Sequence, residues 1–144
     1  MRRPSIRVAE PLLSGNERAY VLDCLDSTWI SSRGKYIEQF EQLVADFCGV
    51  KHAVATNNGT TALHLALTAH GIGPGDEVIV PTLTYIASVN AIRFCGATPV
   101  FVDSIGPQMT LDPRRIEEKL TAKTRGIVTV PLYGHPVDIV AIEA

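Results

Sequence analysis

Five consecutive polar residues, Asn57-Asn58-Gly59-Thr60-Thr61, stand between a short apolar run, Ala53-Val54-Ala55, and an Ala/Leu-rich stretch from Ala62 to Ala69. The run predicts a buried strand and the stretch a helix. A strand that turns straight into a helix leaves several backbone N–H groups unpaired at the helix start. With the positive end of the helix dipole, those donors form an anion site. Asn58 and Gly59 suit the turn because both tolerate positive φ, and Gly59 lets an anion approach the backbone. Thr60 and Thr61 offer hydroxyls as N-cap or as phosphate donors. The same residue types also cap an ordinary core helix, and this stretch taken alone supports both readings equally.

Other side chains could join such a site. Tyr85 follows an apolar strand, Val78-Ile79-Val80-Pro81, and the turn Pro81–Thr84, so it opens the next helix, where an aromatic ring can lie flat on a planar ligand. A core aromatic covering the sheet is the competing reading, as it is for Tyr133. His64, inside an apolar helix, reads as a core histidine. His135 lies in a loop without an evident acidic partner. Asp103, at a strand end, reads either as a cap of the following loop, the favoured reading, or as a group facing the site. Trp29, the single tryptophan, reads either as a packed loop anchor or as a contact to substrate or a neighbouring subunit. Gly71-Ile72-Gly73-Pro74-Gly75 follows a helix and precedes a strand, the reverse of the dinucleotide-binding order, and no P-loop string occurs. A phosphate turn with a stacking aromatic and no dinucleotide fingerprint points to a small phosphorylated aromatic cofactor, with pyridoxal 5'-phosphate (PLP) the leading candidate.

The elements that must position these residues alternate. Ser14 with Glu17 is a capping box opening a helix to about Ser27. A second helix carries Tyr36, Ile37, Phe40, Leu43, Val44 and Phe47 at i, i+3, i+4 spacing and stops at Gly49. Strands are expected at 78–81, 98–103 and 125–130, with a helix over 85–94 closed by Gly96. Asp112-Pro113 caps a further helix whose inner face is Ile116 and Leu120. A last helical turn carries Val137, Ile139, Val140 and Ile142. Strands that are solidly apolar, each followed by a helix, predict an α/β fold with a mainly parallel sheet covered on both faces. Its strand-to-helix loops then share the carboxyl edge, where ligands bind. Asn57–Thr61, Pro81–Tyr85, Asp103–Ser104 and Pro131–His135 should converge there.

Composition excludes several classes. The 144 residues are 46% hydrophobic with a net charge of −2 and both signs interspersed, which argues against nucleic acid and membrane-surface partners. Arg2, Arg3 and Arg7 form a short basic cluster in an extended arm over residues 1–13. No apolar run approaches the roughly 18 residues of a membrane span, and Glu10, Asn16, Glu17 and Arg18 interrupt any signal core. Cys24, Cys48 and Cys95 have no metal-ligand spacing and read as buried reduced thiols. The expectation is a cytoplasmic protein.

The strings CLDSTWISSRGKYIEQFE (24–41), NNGTTALHLAL (57–67), GDEVIVPTLTYIASVNAI (75–92), GATPVFVD (96–103) and LYGHPVDI (132–139) resemble the N-terminal part of the PLP-dependent sugar aminotransferases of the DegT/StrS type, and within them the GDP-perosamine synthase branch. The resemblance implies the large domain of a fold-type-I aminotransferase that works as a homodimer in the making of amino-deoxysugars for surface polysaccharide. It implies transfer of an amino group from glutamate to a nucleotide-linked 4-keto-6-deoxy sugar. The family's phosphate turn falls on Asn58, Gly59 and Thr60, and favours the anion reading of that stretch. The stacking aromatic falls on Tyr85, with Ser88 nearby, and the early loop near the substrate falls on Trp29. Pro131 stands where similar proteins often carry His or Asp.

The resemblance also implies what the chain lacks. The lysine that forms the Schiff base, and the acid that pairs with the pyridinium nitrogen, lie in the family beyond Ala144. None of Lys35, Lys51, Lys119 and Lys123 occupies an apolar ligand-edge setting. The organisation expected is an arm and two helices over 1–48 and an incomplete PLP-binding α/β domain over 49–144, inactive alone. The alternatives are a non-catalytic PLP- or partner-binding module, or a different nucleotide-utilising α/β enzyme.

Overall fold

The computed structural model of the chain describes residues 9 to 143; the basic cluster at Arg2, Arg3 and Arg7 and most of the expected arm lie outside the described residues. Two compact units divide between Ala55 and Thr56.

The first unit carries α1 (Glu17–Asp26) and α2 (Lys35–Cys48). The start of α1 differs from the expected capping box. Asn16 occupies the N-cap without a side-chain cap bond, and the Glu17 carboxylate accepts from the Gly15 N–H at 2.9 Å. Glu17 therefore serves a turn donor, and Ser14 takes no part. Gly49 ends α2 in the left-handed conformation (φ 65°), where a side chain would be strained. Of the expected apolar stripe, Phe40, Leu43 and Phe47 are exposed, and Ala45 is the buried residue of this helix.

Ala53-Val54-Ala55 is not a strand. A strand needs a ladder partner. Here the Ala55 N–H donates instead to the Glu41 carboxylate at 2.8 Å, and Val54 is 70% exposed.

The second unit is built on β1 (Glu77–Pro81), with β2 (Thr98–Val102) and β3 (Thr124–Ile127) on either side, in the order β2-β1-β3. Both pairings are parallel, as the unbroken apolar strands predict. Glu77 pairs with Thr98 and with Thr124, and a bulge follows between Glu77 and Val78 on the β3 side. Alternation along β1 sends side chains to both faces. Val78 and Val80 join Ile72, Ile92 and Ala97 in one core cluster, and Ile79 joins Val102, Leu111 and Ile116 in another. Each large aliphatic buried this way contributes roughly 1.5–3 kcal/mol. The flanking strands are edges, and Phe101 on β2 is exposed.

Helices α3 (Gly59–Ala69) and α4 (Ile86–Phe94) lie against one another. Where a helix was expected after Asp112, two short 3-10 turns form, Pro113–Arg115 and Glu117–Lys119. Ile116 is buried between them, and Leu120, expected inside, is exposed. The second turn ends at Leu120 with extended backbone, which carries that side chain off the inner face. The helix α5 (Ile139–Glu143) closes the described chain. All three cysteines are free and, contrary to expectation, none is fully buried: Cys24 and Cys95 are half-buried, and Cys48 is exposed because it lies in the last turn of the mostly exposed α2.

Candidate functional site

The topology brings the start of α3 and the start of α4 to one end of the second unit. Helix α3 enters β1 through the short turn Gly71–Asp76, and β1 leaves through Thr82–Tyr85 into α4. Both helices therefore run antiparallel to β1 and parallel to each other. Their C-terminal halves touch: the His64 and Phe94 rings meet edge-on at 5.8 Å, and the Thr68 hydroxyl lies 3.7 Å from the Cys95 sulfur. His64 is accordingly a half-buried partner of a ring, not a core histidine. The first turns of both helices face the carboxyl edge of β1.

At that edge the turn before α3 is shaped by its own side chains. Asn58 is the N-cap, and its Oδ1 accepts from the Thr61 N–H at 2.9 Å and from the Thr61 hydroxyl at 3.0 Å. The Thr61 hydroxyl also reaches Asn57 Oδ1 at 2.8 Å, and Asn58 Nδ2 donates to the same oxygen at 3.2 Å. Neither threonine is the N-cap, because Asn58 is better placed to accept. Positive φ is not used either: Asn58 is extended at φ −165°, and Gly59 is not among the positive-φ residues. The N–H groups of Gly59 and Thr60 keep no acceptor among the described residues. A Cβ built on Gly59 meets nothing within 4 Å. Two free donors at a helix start, beside an unobstructed glycine, fit a phosphate.

The loop after β1 is equally defined. Thr82 N–H donates to the Val102 carbonyl at 2.9 Å, which continues the β1–β2 pairing by one step. The Thr84 and Ser88 hydroxyls lie 3.1 Å apart, and Ser88 is only 6% exposed. Tyr85 between them is the N-cap of α4 and is 75% exposed, so its ring is not a core aromatic. Ser88 supports the loop from beneath.

Next to it, Thr82, Asp103, Ser104, Asp112, Arg114 and Arg115 line a cavity of about 480 Å³. Asp103 does not cap its loop through its carboxylate. That group binds the Arg115 guanidinium at 3.1 Å and lies 3.5 Å from the Thr82 hydroxyl. Asp112, buried, takes two bonds of 2.9 Å from Arg114. That guanidinium holds the Asp112 carboxyl below the usual carboxylate range and raises Arg114. Sequence reading named Asp112 as a cap but missed both arginines, which carry no periodic signal. Tyr133, in the loop after β3, is exposed and left-handed (φ 53°).

The lysines of this unit sit elsewhere. The Lys123 carbonyl accepts from Glu77 N–H at 2.9 Å, at the amino end of β1. Lys119 lies two residues before Thr121, whose hydroxyl donates to the Glu77 carboxylate at 2.6 Å. Trp29 belongs to the other unit, where it lines a cavity with Asp23, Arg33, Lys35 and Tyr36.

A parallel sheet with an anion-ready helix start and an exposed aromatic at its carboxyl edge is the large-domain pattern of an aminotransferase, and the chain belongs to the DegT/DnrJ/EryC1/StrS aminotransferase family, whose model matches residues 11–144. It is 60% identical over 136 residues to the GDP-perosamine synthase of Caulobacter vibrioides, which covers 94% of this chain and 37% of that protein. It is 58% identical over 134 residues to the GDP-perosamine synthase of Escherichia coli O157:H7, covering 93% of this chain and 37% of that protein. Among solved structures it is similar to NtdA of Bacillus subtilis with bound cofactor PMP, at a TM-score of 0.80 and 36% identity, over 90% of this chain and 31% of that one. The chain thus spans 37% of the length of both relatives.

Proposed function

We propose that this chain forms the phosphate- and ring-holding part of a PLP-dependent aminotransferase that moves an amino group from glutamate to a nucleotide-linked 4-keto-6-deoxy sugar. The observation that carries the reading is the meeting, at one sheet edge, of two unpaired N–H donors and an exposed tyrosine. Gly59 and Thr60 would hold the cofactor phosphate through their amides, and Asn58 would fix the turn by spending its carboxamide on Thr61. Tyr85 would lie on the pyridine ring, with Ser88 and Thr84 holding its loop. When bound, the cofactor supplies an electron sink for breaking and making the bond to the migrating nitrogen. Trp29, in the first unit, would contact the substrate. No lysine of the second unit lies at the carboxyl edge, so the described residues bind and orient but do not supply the covalent anchor, and the chain alone is inactive. The likeness to GDP-perosamine synthases supports a GDP-linked sugar; a homodimer and a cytoplasmic setting complete the proposal.

The test is an amination assay on the native polypeptide carrying this sequence, with PLP, glutamate and a GDP-linked 4-keto-6-deoxy sugar. Formation of the 4-amino sugar nucleotide with one 2-oxoglutarate per turnover is expected. A protein that binds PLP yet aminates no nucleotide-linked keto sugar would overturn the reading.

A further inference from the structure

The loop that carries Tyr85 is held at both ends. At its far end the Thr84 and Ser88 hydroxyls meet. At its near end Thr82 is tied to the exit of β2: its N–H donates to the Val102 carbonyl at 2.9 Å, and its hydroxyl lies 3.5 Å from Asp103 Oδ1, a weak contact by itself. Asp103 is in turn fixed from two sides. Its carbonyl accepts from the Asp112 N–H at 3.0 Å. Its other carboxylate oxygen, Oδ2, accepts from Arg115 Nη1 at 3.1 Å, which leaves Oδ1 for Thr82. Arg115 Nε lies 3.9 Å from Asp112 Oδ2, and Asp112 is buried and anchored by Arg114 through both carboxylate oxygens.

Charges thus alternate along one row, Arg114, Asp112, Arg115 and Asp103, which ends at the first residue of the tyrosine's loop. The Asp103 and Arg115 side chains are 62% and 56% exposed, and exposed ion pairs add little to stability. What the row supplies is direction. It fixes which oxygen of Asp103 faces Thr82, and a loop of four residues clamped at Thr82 and again at Thr84 leaves little freedom to the tyrosine on which it ends. A ring held ready in this way loses less entropy when a planar ligand stacks on it. We propose that Asp103 and Arg115 are positioning residues for Tyr85, acting through Thr82. The inference rests on the cofactor reading above and adds the two residues that aim the ring.

The experiment is a double-mutant cycle in the native polypeptide carrying this sequence, read by PLP titration and by the circular dichroism induced in the bound cofactor's absorption band. Asp103→Ala and Arg115→Gln should each weaken PLP by about threefold, the scale of an exposed ion pair, and should lower the induced dichroism. In a Tyr85→Leu background neither substitution should weaken PLP further, because no ring is left to aim. Equal losses in both backgrounds would mean that the two residues act on the fold and not on the ring; this overturns the inference and leaves the cofactor reading standing. PLP affinity and dichroism unchanged from the parent in both variants overturn it as well. Asp103→Asn, which keeps the side chain's shape and drops its charge, takes the place of Asp103→Ala if that protein does not fold. If the parent itself binds no PLP, the cofactor reading fails, and this inference with it.

Discussion

Thr84 and Ser88 face each other through their hydroxyls at 3.1 Å, one in the loop after β1 and the other in the first turn of α4. Tyr85 lies between them in sequence and projects into solvent. The bond closes the loop on the helix it feeds, so the direction of the tyrosine is set by a half-buried threonine paired with a buried serine. Replacing Thr84 with Val keeps the shape and leaves the Ser88 hydroxyl unpaired, which should cost about 1–3 kcal/mol in urea denaturation. Thr84→Ser should restore most of it. If Thr84→Val proves as stable as the parent, the pair does not hold the loop.

Gly59 and Gly96 separate space from strain. Gly96 has φ 78°, and a Cβ there would come within 3.0 Å of Pro74 Cγ. Gly96→Ala should therefore destabilise the second unit by more than about 1 kcal/mol. Gly59 has open space and begins a helix, so Gly59→Ala should leave stability unchanged or slightly raised. Its expected effect is on PLP affinity, because the added methyl stands where the phosphate approaches. Equal PLP affinity in Gly59→Ala and parent, measured by absorbance titration, would argue against that seat.

Asn58 offers a second separation. Asn58→Ala removes the side-chain cap seen at Thr61, at about 1 kcal/mol. Asn58→Asp keeps a cap oxygen but sets a negative charge beside the proposed phosphate. Thermal melts should rank Asp near Asn and above Ala, whereas PLP affinity should be lowest for Asp. The same rank order in both measurements would mean that the turn is a helix cap and nothing more.

How much of this was open to sequence reading depended on where each signal came from. The parallel sheet was legible because Val78, Ile79 and Val80 are apolar on both faces, and α2 because Gly49 ends it. The turn at Asn58–Thr61 was placed, but its inner bonding was not, since Asn, Gly and Thr offer several caps of similar energy. Ala53–Ala55 looked like a strand by composition, whereas a strand depends on a partner that local sequence does not reveal. The Asp112 helix broke into 3-10 turns because Pro113 and Ile116 allow either geometry over so short a span. The cavity around Trp29 escaped notice because Asp23, Arg33 and Lys35 come from two helices and a loop, with no common period.

The Asp23–Lys35 pair gives a pH prediction for the first unit. Lys35 bonds to Asp23 and holds its carboxyl below the usual range, with help from Tyr36. Asp23 in turn raises Lys35, and burial first, then Asp23, raises the Tyr36 phenol. A depressed acid adds stability above its unfolded pKa and loses it as pH falls through the folded value. A raised lysine adds stability below its unfolded pKa and loses it as pH climbs through the folded one. The pair thus stabilises between about pH 4 and pH 10. In Lys35→Met the Asp23 carboxyl, followed by carbon NMR, should titrate at higher pH than in the parent. An unchanged Asp23 titration would show that the pair is not formed in solution.

Edge strands make a prediction for the chain expressed by itself. β2 and β3 both border the sheet, and Phe101 is exposed on one of them. Unprotected edges recruit further strands. Size-exclusion chromatography with light scattering should find association that grows with concentration, and a monomer with a sharp reversible melt would contradict the expectation.

The most direct measurement is amide NMR of the native polypeptide carrying this sequence, selectively labelled at glycine and threonine, during titration with PLP. The Gly59 and Thr60 N–H signals should move saturably, in step with the rise of the cofactor's bound absorption band, and more than any other labelled amide of residues 56–143. PLP binding that leaves both amides unmoved would contradict the cofactor seat described above.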